Sequence, residues 1–290
     1  MQFAAQSAGF NTLVIGSWPL RHSPPVLLRA YARGYTTAVG KTGVDVALTM
    51  SVIVCAHNEA LYIGPCLHSL LAQTRQPDEI IVINNASTDE TRAVAEQIPS
   101  VRVVDEPRKG LVVARETGRK KATGDVLVYL DADCRAPLRW LELIERHFVH
   151  TPGLIALSAP YRFYDWDWWG RLLIRAYDMT LAPLTQLLVK YVLRIGTIFY
   201  GGNFAVRREA IEGIGGFDTS IEFHGEDTNL GRRLLAIGRV ALVRDCYLYT
   251  SARRYNAMGK GAVFRLYVRN FTSEVLRHRP KDTTHVDIRT

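Results

Sequence analysis

A chain of 290 residues that is 48% hydrophobic and 22% charged has the apolar content of an ordinary globular protein, which excludes a disordered or low-complexity polymer. Four scattered cysteines (Cys55, Cys66, Cys134, Cys246) form no C-x-x-C pair, which argues against a disulfide framework or a structural zinc and fits a reducing compartment. The formal charge of +8 is compatible with nucleic acid, anionic lipid or phosphorylated small molecules and separates none of them.

Residues 1–49 read differently from the rest. No acid stands between Met1 and Val44, while Arg21, Arg29, Arg33 and Lys41 are basic and Pro24-Pro25 breaks any period. This composition is that of a leader: a transit-type segment, a disordered arm, or a stretch translated from an upstream start.

The regular pattern begins at Met50. Ser51–Ala56 is a short apolar, β-branched run and predicts a buried strand. Leu61–Gln73 carries Leu61, Ile63, Leu67, Leu70 and Leu71 at helical spacing. Ile80–Ile83 predicts a second strand, with a helix opening near Ser87–Glu90. Val101–Val104, Leu111–Ala122 and Val126–Leu130 predict a third strand, a third helix and a fourth strand. Apolar strands alternating with helices imply α/β architecture: a Rossmann-like, mostly parallel central sheet with helices on both faces. In such sheets ligands bind outside the carboxyl ends of the strands.

Three polar clusters come directly after those ends: His57-Asn58-Glu59, Asn84 to Asp89, and Asp131-Ala132-Asp133. No G-x-G-x-x-G follows the first strand, which disfavours a dinucleotide cofactor. Asp131 and Asp133 are two apart, so in extended chain they point the same way. Two hard carboxylate oxygens suit a divalent cation, Mn or Mg, that takes substrate phosphates as further ligands. Alone, such a pair also serves to cap a helix.

The order of motifs resembles the family 2 glycosyltransferases of GT-A fold. Val54–Glu59 resembles the family's opening strand with P-x-Y-N-E, Asn84–Asp89 its D-D-G-S-x-D loop, Gly110–Arg115 its G-x-x-x-A-R segment, and Gly225-Glu226-Asp227 its E-D motif. The likeness runs from Met50 to about Tyr255. Ala56 stands where the family has proline, His57 where it has an aromatic residue, and Asn84 and Asn85 where it has aspartates.

The resemblance implies hexosyl transfer with inversion from a nucleotide-diphosphate sugar to an acceptor hydroxyl, in cell-envelope polysaccharide or glycolipid synthesis. It implies Asp227 as general base, Asp131 and Asp133 as metal ligands, with Asp133 the more direct, and Glu59, Asn85, Asp89, Arg115, Asp131 and Arg254 on the nucleotide-sugar. Gly202, Asn203 and Glu226 fall on the acceptor side. Asp227 lies near the start of a helix spanning Asn229–Ile237, and the helix dipole there is expected to lower its basicity.

Two further features remain. Tyr161–Trp169 is rich in aromatics, readable as sugar stacking, a membrane anchor, a lid or a packed corner. Leu172–Phe199 is apolar but interrupted by Arg175, Asp178, Lys190 and Arg194, so it predicts no membrane span. With the basic C-terminal segment it predicts either peripheral contact with anionic lipid, at the inner face of the membrane of a cytoplasmic protein, or an ordinary buried helix with a solvated basic tail. The expected organisation is a leader (1–49), a GT-A domain (50–250) and a basic helical tail (251–290). A lipid-linked acceptor would fit the apolar and basic features. No nucleic-acid partner is expected, although a nucleic-acid-binding protein and a metal-dependent nucleotidyltransferase are the competing readings of the same charge and carboxylates.

Overall fold

A computed structural model of the chain describes residues 48–192, 196–221 and 225–277. The predicted leader therefore lies outside the described residues, apart from its last two positions. So do residues 278–290 of the predicted tail.

The first half builds as the periodicity requires. Strands β1 (Met50–Ala56), β2 (Glu79–Asn85), β3 (Val101–Glu106) and β4 (Val126–Asp131) alternate with helices α1 (Ala60–Leu71), α2 (Thr91–Glu96) and α3 (Leu111–Lys121). The second half adds α4 (Trp140–His150), β5 (Leu154–Ser158), β6 (Tyr161–Phe163), α5 (Trp168–Met179), α6 (Leu181–Gln186) and a π-helical turn, Leu187–Val192. It continues with β7 (Asn203–Arg207), α7 (Arg208–Gly213), α8 (Glu226–Leu235), β8 (Arg239–Leu242), β9 (Leu248–Thr250), α9 (Arg253–Met258) and α10 (Lys260–Arg277).

Seven strands form one sheet in the order β3-β2-β1-β4-β7-β5-β8, and β6 and β9 pair separately. β1 to β4 are parallel, whereas β7 runs antiparallel to both β4 and β5. The sheet is thus mostly parallel, as expected. Both faces are apolar because alternate side chains go to opposite sides. Along β4, Val126, Val128 and Leu130 join one core cluster and Leu127 and Tyr129 the other.

Register decides what sits at the carboxyl edge. Ala56 pairs with Asn84 and Cys55 with Asp131, so β1, β2 and β4 end level. Their three polar clusters therefore share one rim.

Four departures from the sequence reading are instructive. α2 opens at Thr91, because Asp89 accepts from the Thr91 N–H (3.0 Å) and holds the chain before it in a turn. α8 opens three residues earlier than its apolar pattern, since its first turn carries Glu226 and Asp227 and lacks apolar side chains. The stretch from residue 168 to 192 is no buried helix: it breaks at Thr180 into α5, α6 and the π turn, and much of its apolar surface is exposed. The aromatic segment divides, with Phe163 and Trp166 packed beside Tyr255 while Trp168 and Trp169 face outward. All four cysteines are free thiols.

The described part of the basic C-terminal segment folds back. α10 packs on α9 and α8, with Val263 and Asn270 buried. This brings residues from the end of the chain to the rim built by its first half.

Candidate active site

Asp131 is the last residue of β4, and Asp133 stands in the turn that begins there. Around this pair the fold assembles two arginines that lie far away in sequence. Arg115, from the middle of α3, is buried and reaches Glu226 Oε1 at 3.0 Å and Asp131 Oδ1 at 3.5 Å. Arg253, at the start of α9, reaches Asp133 Oδ2 at 3.0 Å and also bonds Glu59. Burial alone would lower the Arg115 pKa. The facing charges of Asp131 and Glu226 more than offset that and raise it, so the guanidinium stays charged.

The loop before β7 closes the other side. A Cβ on Gly201 would stand 3.0 Å from the Cβ of Asp227 and 3.2 Å from Glu226 Oε1. A Cβ on Gly202 would collide with the Asp131 carboxylate and the Tyr161 hydroxyl. Gly202 can pass this close to the Asp131 carboxylate only without a side chain, and a side chain at Gly201 would crowd the α8 carboxylates. Asn203, predicted to face an acceptor, instead donates its amide N–H groups to the carbonyls of Pro160 (3.2 Å) and Cys246 (3.0 Å), which anchors the loop.

Asp227 sits in the first turn of α8, after Gly225, whose φ of 88° lies in the left-handed region that favours glycine. Burial, joined by the neighbouring charge of Glu226, pushes its carboxyl from the ordinary 3.8 up to about 7. Hydrogen bonds from Thr228 and the Arg115 charge act in the opposite sense and do not prevail. The expectation that the helix dipole would lower its basicity is therefore corrected: desolvation beside a like charge dominates a terminal dipole.

On the β1–β2 side the predicted nucleoside residues are largely engaged with backbone. Asn85 donates to the carbonyls of Glu106 (3.2 Å) and Arg108 (2.7 Å) and accepts from the Gly110 N–H (2.8 Å), pinning the β3–α3 loop. Asp89 accepts from the Ala60 N–H (3.1 Å) as well as Thr91, tying the two strand-end loops together. Partial burial works to raise the Asp89 pKa. The Thr91 hydroxyl and these N–H groups outweigh it and hold the carboxyl below its usual value. Glu59 is buried beneath Arg253. His57 is a wall residue, its Nδ1 2.7 Å from the Asn85 carbonyl. Ala86, at the tip of the loop, is held at φ 51°, where a side chain costs energy.

Arg254 donates to the Tyr267 hydroxyl at 3.3 Å and lies within the field of Asp131 and Glu226. The structure thus brings Asp131, Asp133, Arg115, Gly202, Glu226, Asp227 and Arg254 to one place, and leaves Asn85, Asp89 and Asn203 as loop supports around it. Sequence reasoning selected Arg254 and not Arg253 as a site residue, and did not select Tyr161. The only signal for Arg253 was the Arg253-Arg254-Tyr255 run, and nothing local indicates which arginine turns inward.

The mostly parallel sheet with its covering helices is a GT-A fold. Residues 51–215, more than half of the chain, match glycosyl transferase family 2, and the chain belongs to that family. It is 33% identical over 197 residues to the glycosyltransferase AglE of Haloferax volcanii, covering 65% of this chain and 62% of that protein. It is 30% identical over 228 residues to human polypeptide N-acetylgalactosaminyltransferase 6, covering 68% of this chain but 36% of the relative. The chain thus spans less than two thirds of the length of these curated relatives. Among solved structures, the mannosyltransferase PcManGT from Pyrobaculum calidifontis in complex with GDP-Man and Mn2+ superposes with a TM-score of 0.59 at 23% identity, over 87% of this chain and 75% of that one. Glucosyl-3-phosphoglycerate synthase from Mycobacterium tuberculosis, in complex with Mn2+, UDP-glucose and phosphoglyceric acid, does so at 0.54 and 20%, over 88% and 86%.

Proposed function

We propose that this glycosyltransferase moves a sugar from a nucleotide-diphosphate donor to an acceptor hydroxyl with inversion, using Asp227 as base. The observation that carries this reading is Asp227 itself: a half-buried carboxyl raised to about 7, beside a side-chain-free loop that separates it from Asp131. A base with a pKa near neutrality combines a populated ionised form with real proton affinity. The acceptor oxygen attacks the anomeric carbon from the face opposite the diphosphate, its proton passes to Asp227, and the bond to the diphosphate oxygen breaks.

Asp131 and Asp133 are the residues that would hold a divalent cation. Their donor set is hard oxygen, and the missing Cβ at Gly202 leaves room against the Asp131 carboxylate. When bound, Mn2+ or Mg2+ supplies positive charge against the departing diphosphate. The Mn2+ in PcManGT and in the phosphoglycerate synthase supports this choice of ion class. Arg115 holds Asp131 and Glu226 in place, and Arg254 offers a fork to phosphate oxygens. The nucleoside end falls against the rim shaped by Glu59, Asn85 and Asp89, and the acceptor on the side of Gly202, Asn203 and Glu226. A lipid-linked hydroxyl, in glycolipid or cell-envelope polysaccharide synthesis, is the acceptor class best matched to the exposed apolar helices near this loop.

The test is transfer by Asp227→Asn, with donor binding followed by thermal shift against UDP, GDP, dTDP and CDP with and without Mn2+. Loss of transfer with retained, metal-dependent nucleotide binding is expected. Near-normal turnover would remove Asp227 from the base role, and a shift unaffected by Asp133→Ala would remove the carboxylate pair from the donor site.

A further inference from the structure

Outside the acidic rim but tied to its Gly201-Gly202 loop, α5, α6 and the π turn present an unusual surface. Single exposed apolar side chains are ordinary; a contiguous set is not. Trp168, Trp169, Leu172 and Leu173, on one side of α5 by helical spacing, are 61%, 56%, 49% and 63% exposed, and Leu184 and Leu188 further along are exposed as well. The two indoles stack on each other at 4.0 Å and stand outward as a pair. Trp166, two residues earlier, is buried in the aromatic corner, so the chain buries one indole on its way into α5 and turns out two.

Charge accompanies this face. Arg171 and Arg175 are one turn apart on α5, and with Arg162 of β6 they line a pocket of about 230 Å³ that also touches Tyr164 and Tyr249. Among the described residues these three arginines form no ion pair with a carboxylate. Asp167 is paired with Lys260 at 2.8 Å and Asp178 accepts from the Tyr200 hydroxyl at 3.0 Å; their charges also act on Arg171 and Arg162 without a direct ion pair. Three guanidinium groups around one cavity repel one another and favour an anion between them.

We propose that this face docks on an anionic phospholipid bilayer, with Trp168, Trp169 and the leucines entering the boundary between headgroups and acyl chains and Arg162, Arg171 and Arg175 holding a lipid phosphate. Outward indoles and leucines next to arginines are the chemistry of an interfacial helix, which lies in the membrane plane. α5 has 12 residues, against roughly 20 needed to cross a bilayer. No described helix is long and apolar enough to cross a membrane. The overall charge of +8 adds attraction to an anionic surface. The Tyr200–Asp178 hydrogen bond ties α5 to the loop that continues through Gly201 and Gly202 beside Asp131. Docking therefore brings the acidic rim close to the bilayer; what that rim then does there rests on the proposed transfer, while the docking does not.

The test is sedimentation of the full chain with vesicles of phosphatidylcholine, alone or mixed with phosphatidylglycerol. The mixed vesicles are expected to bind at least about tenfold better. Trp168→Ser/Trp169→Ser and Arg171→Glu/Arg175→Glu are each expected to lose at least about tenfold in affinity, with circular dichroism and melting unchanged because the replaced groups are exposed. Brominated acyl chains are expected to quench tryptophan emission in the native chain and much less in the tryptophan double variant. Equal binding to neutral vesicles, binding indifferent to both double variants, or no pelleting with either vesicle would overturn the proposal. So would self-association or RNA capture that vanishes in the variants while vesicle binding is absent. None of these readouts uses turnover, so a failure here is separate from a failure of the transfer reading.

Discussion

The guanidinium of Arg115 donates to Glu226 Oε1 over 3.0 Å and joins the middle of α3 to the first turn of α8 across 111 residues of sequence. The same guanidinium lies 3.5 Å from Asp131, so one buried cation holds carboxylates from both halves of the site. Arg115→Met leaves these carboxylates without their counter-charge. It is expected to cost about 2–4 kcal/mol, toward the low end for breaking a buried pair because the Asp131 side chain is 40% exposed. Arg115→Lys is expected to recover part of the stability but little activity, since a point charge does not reproduce a fork spanning two partners. Denaturant melts and turnover of the two variants check this; native-like turnover in the lysine variant would contradict it.

Gly202→Ala tests the close approach of the loop. The new methyl would press on the Asp131 carboxylate and the Tyr161 hydroxyl. Asp131 sits at the end of a flexible side chain and can swing away, so the fold is expected to survive with a Tm lowered by a few degrees. Metal-dependent nucleotide binding and transfer are expected to fall together, by about tenfold or more. Titration with Mn2+ reads the first effect directly, and a variant with native metal affinity would show that the glycine serves only the turn.

The raised carboxyl of Asp227 makes two predictions about pH. A base must be ionised, so kcat/KM is expected to fall as pH drops through about 7. An acid limb at an ordinary carboxylate value would assign the profile elsewhere. The same shift links to stability, because the folded chain holds this proton more tightly than the unfolded chain. That contribution is fully present below the unfolded value near 3.8 and is lost as pH rises through about 7. Asp227→Asn removes the dependence. The variant is therefore expected to gain in Tm over the native chain as the buffer goes from acid to mildly alkaline.

Ala86→Gly is expected to stabilise the chain. Ala86 holds φ 51° at the end of β2, the position where the resembling D-D-G-S-x-D pattern carries glycine. Relief of the left-handed penalty, reduced by the extra freedom glycine has when unfolded, amounts to roughly 0.5–1 kcal/mol. Equilibrium unfolding measures it. A loss of stability would mean that the methyl group makes contacts worth more than the strain.

Much of this protein was legible from local pattern. Alternating apolar strands and amphipathic helices dictated the parallel half of the sheet, because periodicity records which side chains face a core within each element. The order of the polar clusters after β1, β2 and β4 identified the acidic rim and its carboxylates, because parallel strands ending level gather their succeeding loops at one edge. The tertiary structure alone decided the rest. Arg253 meets Glu59 across 194 residues, and no spacing rule reaches that far. Asp227 is made more basic rather than less, because burial depends on everything packed around α8 and a dipole only on its own helix. Asn85, Asp89 and Asn203 serve the loops because backbone donors and acceptors there needed partners, which only the closed fold supplies. No side chain of the apolar stretch 168–192 joins either core cluster, and whether such a stretch meets a core depends on tertiary packing that no local pattern contains.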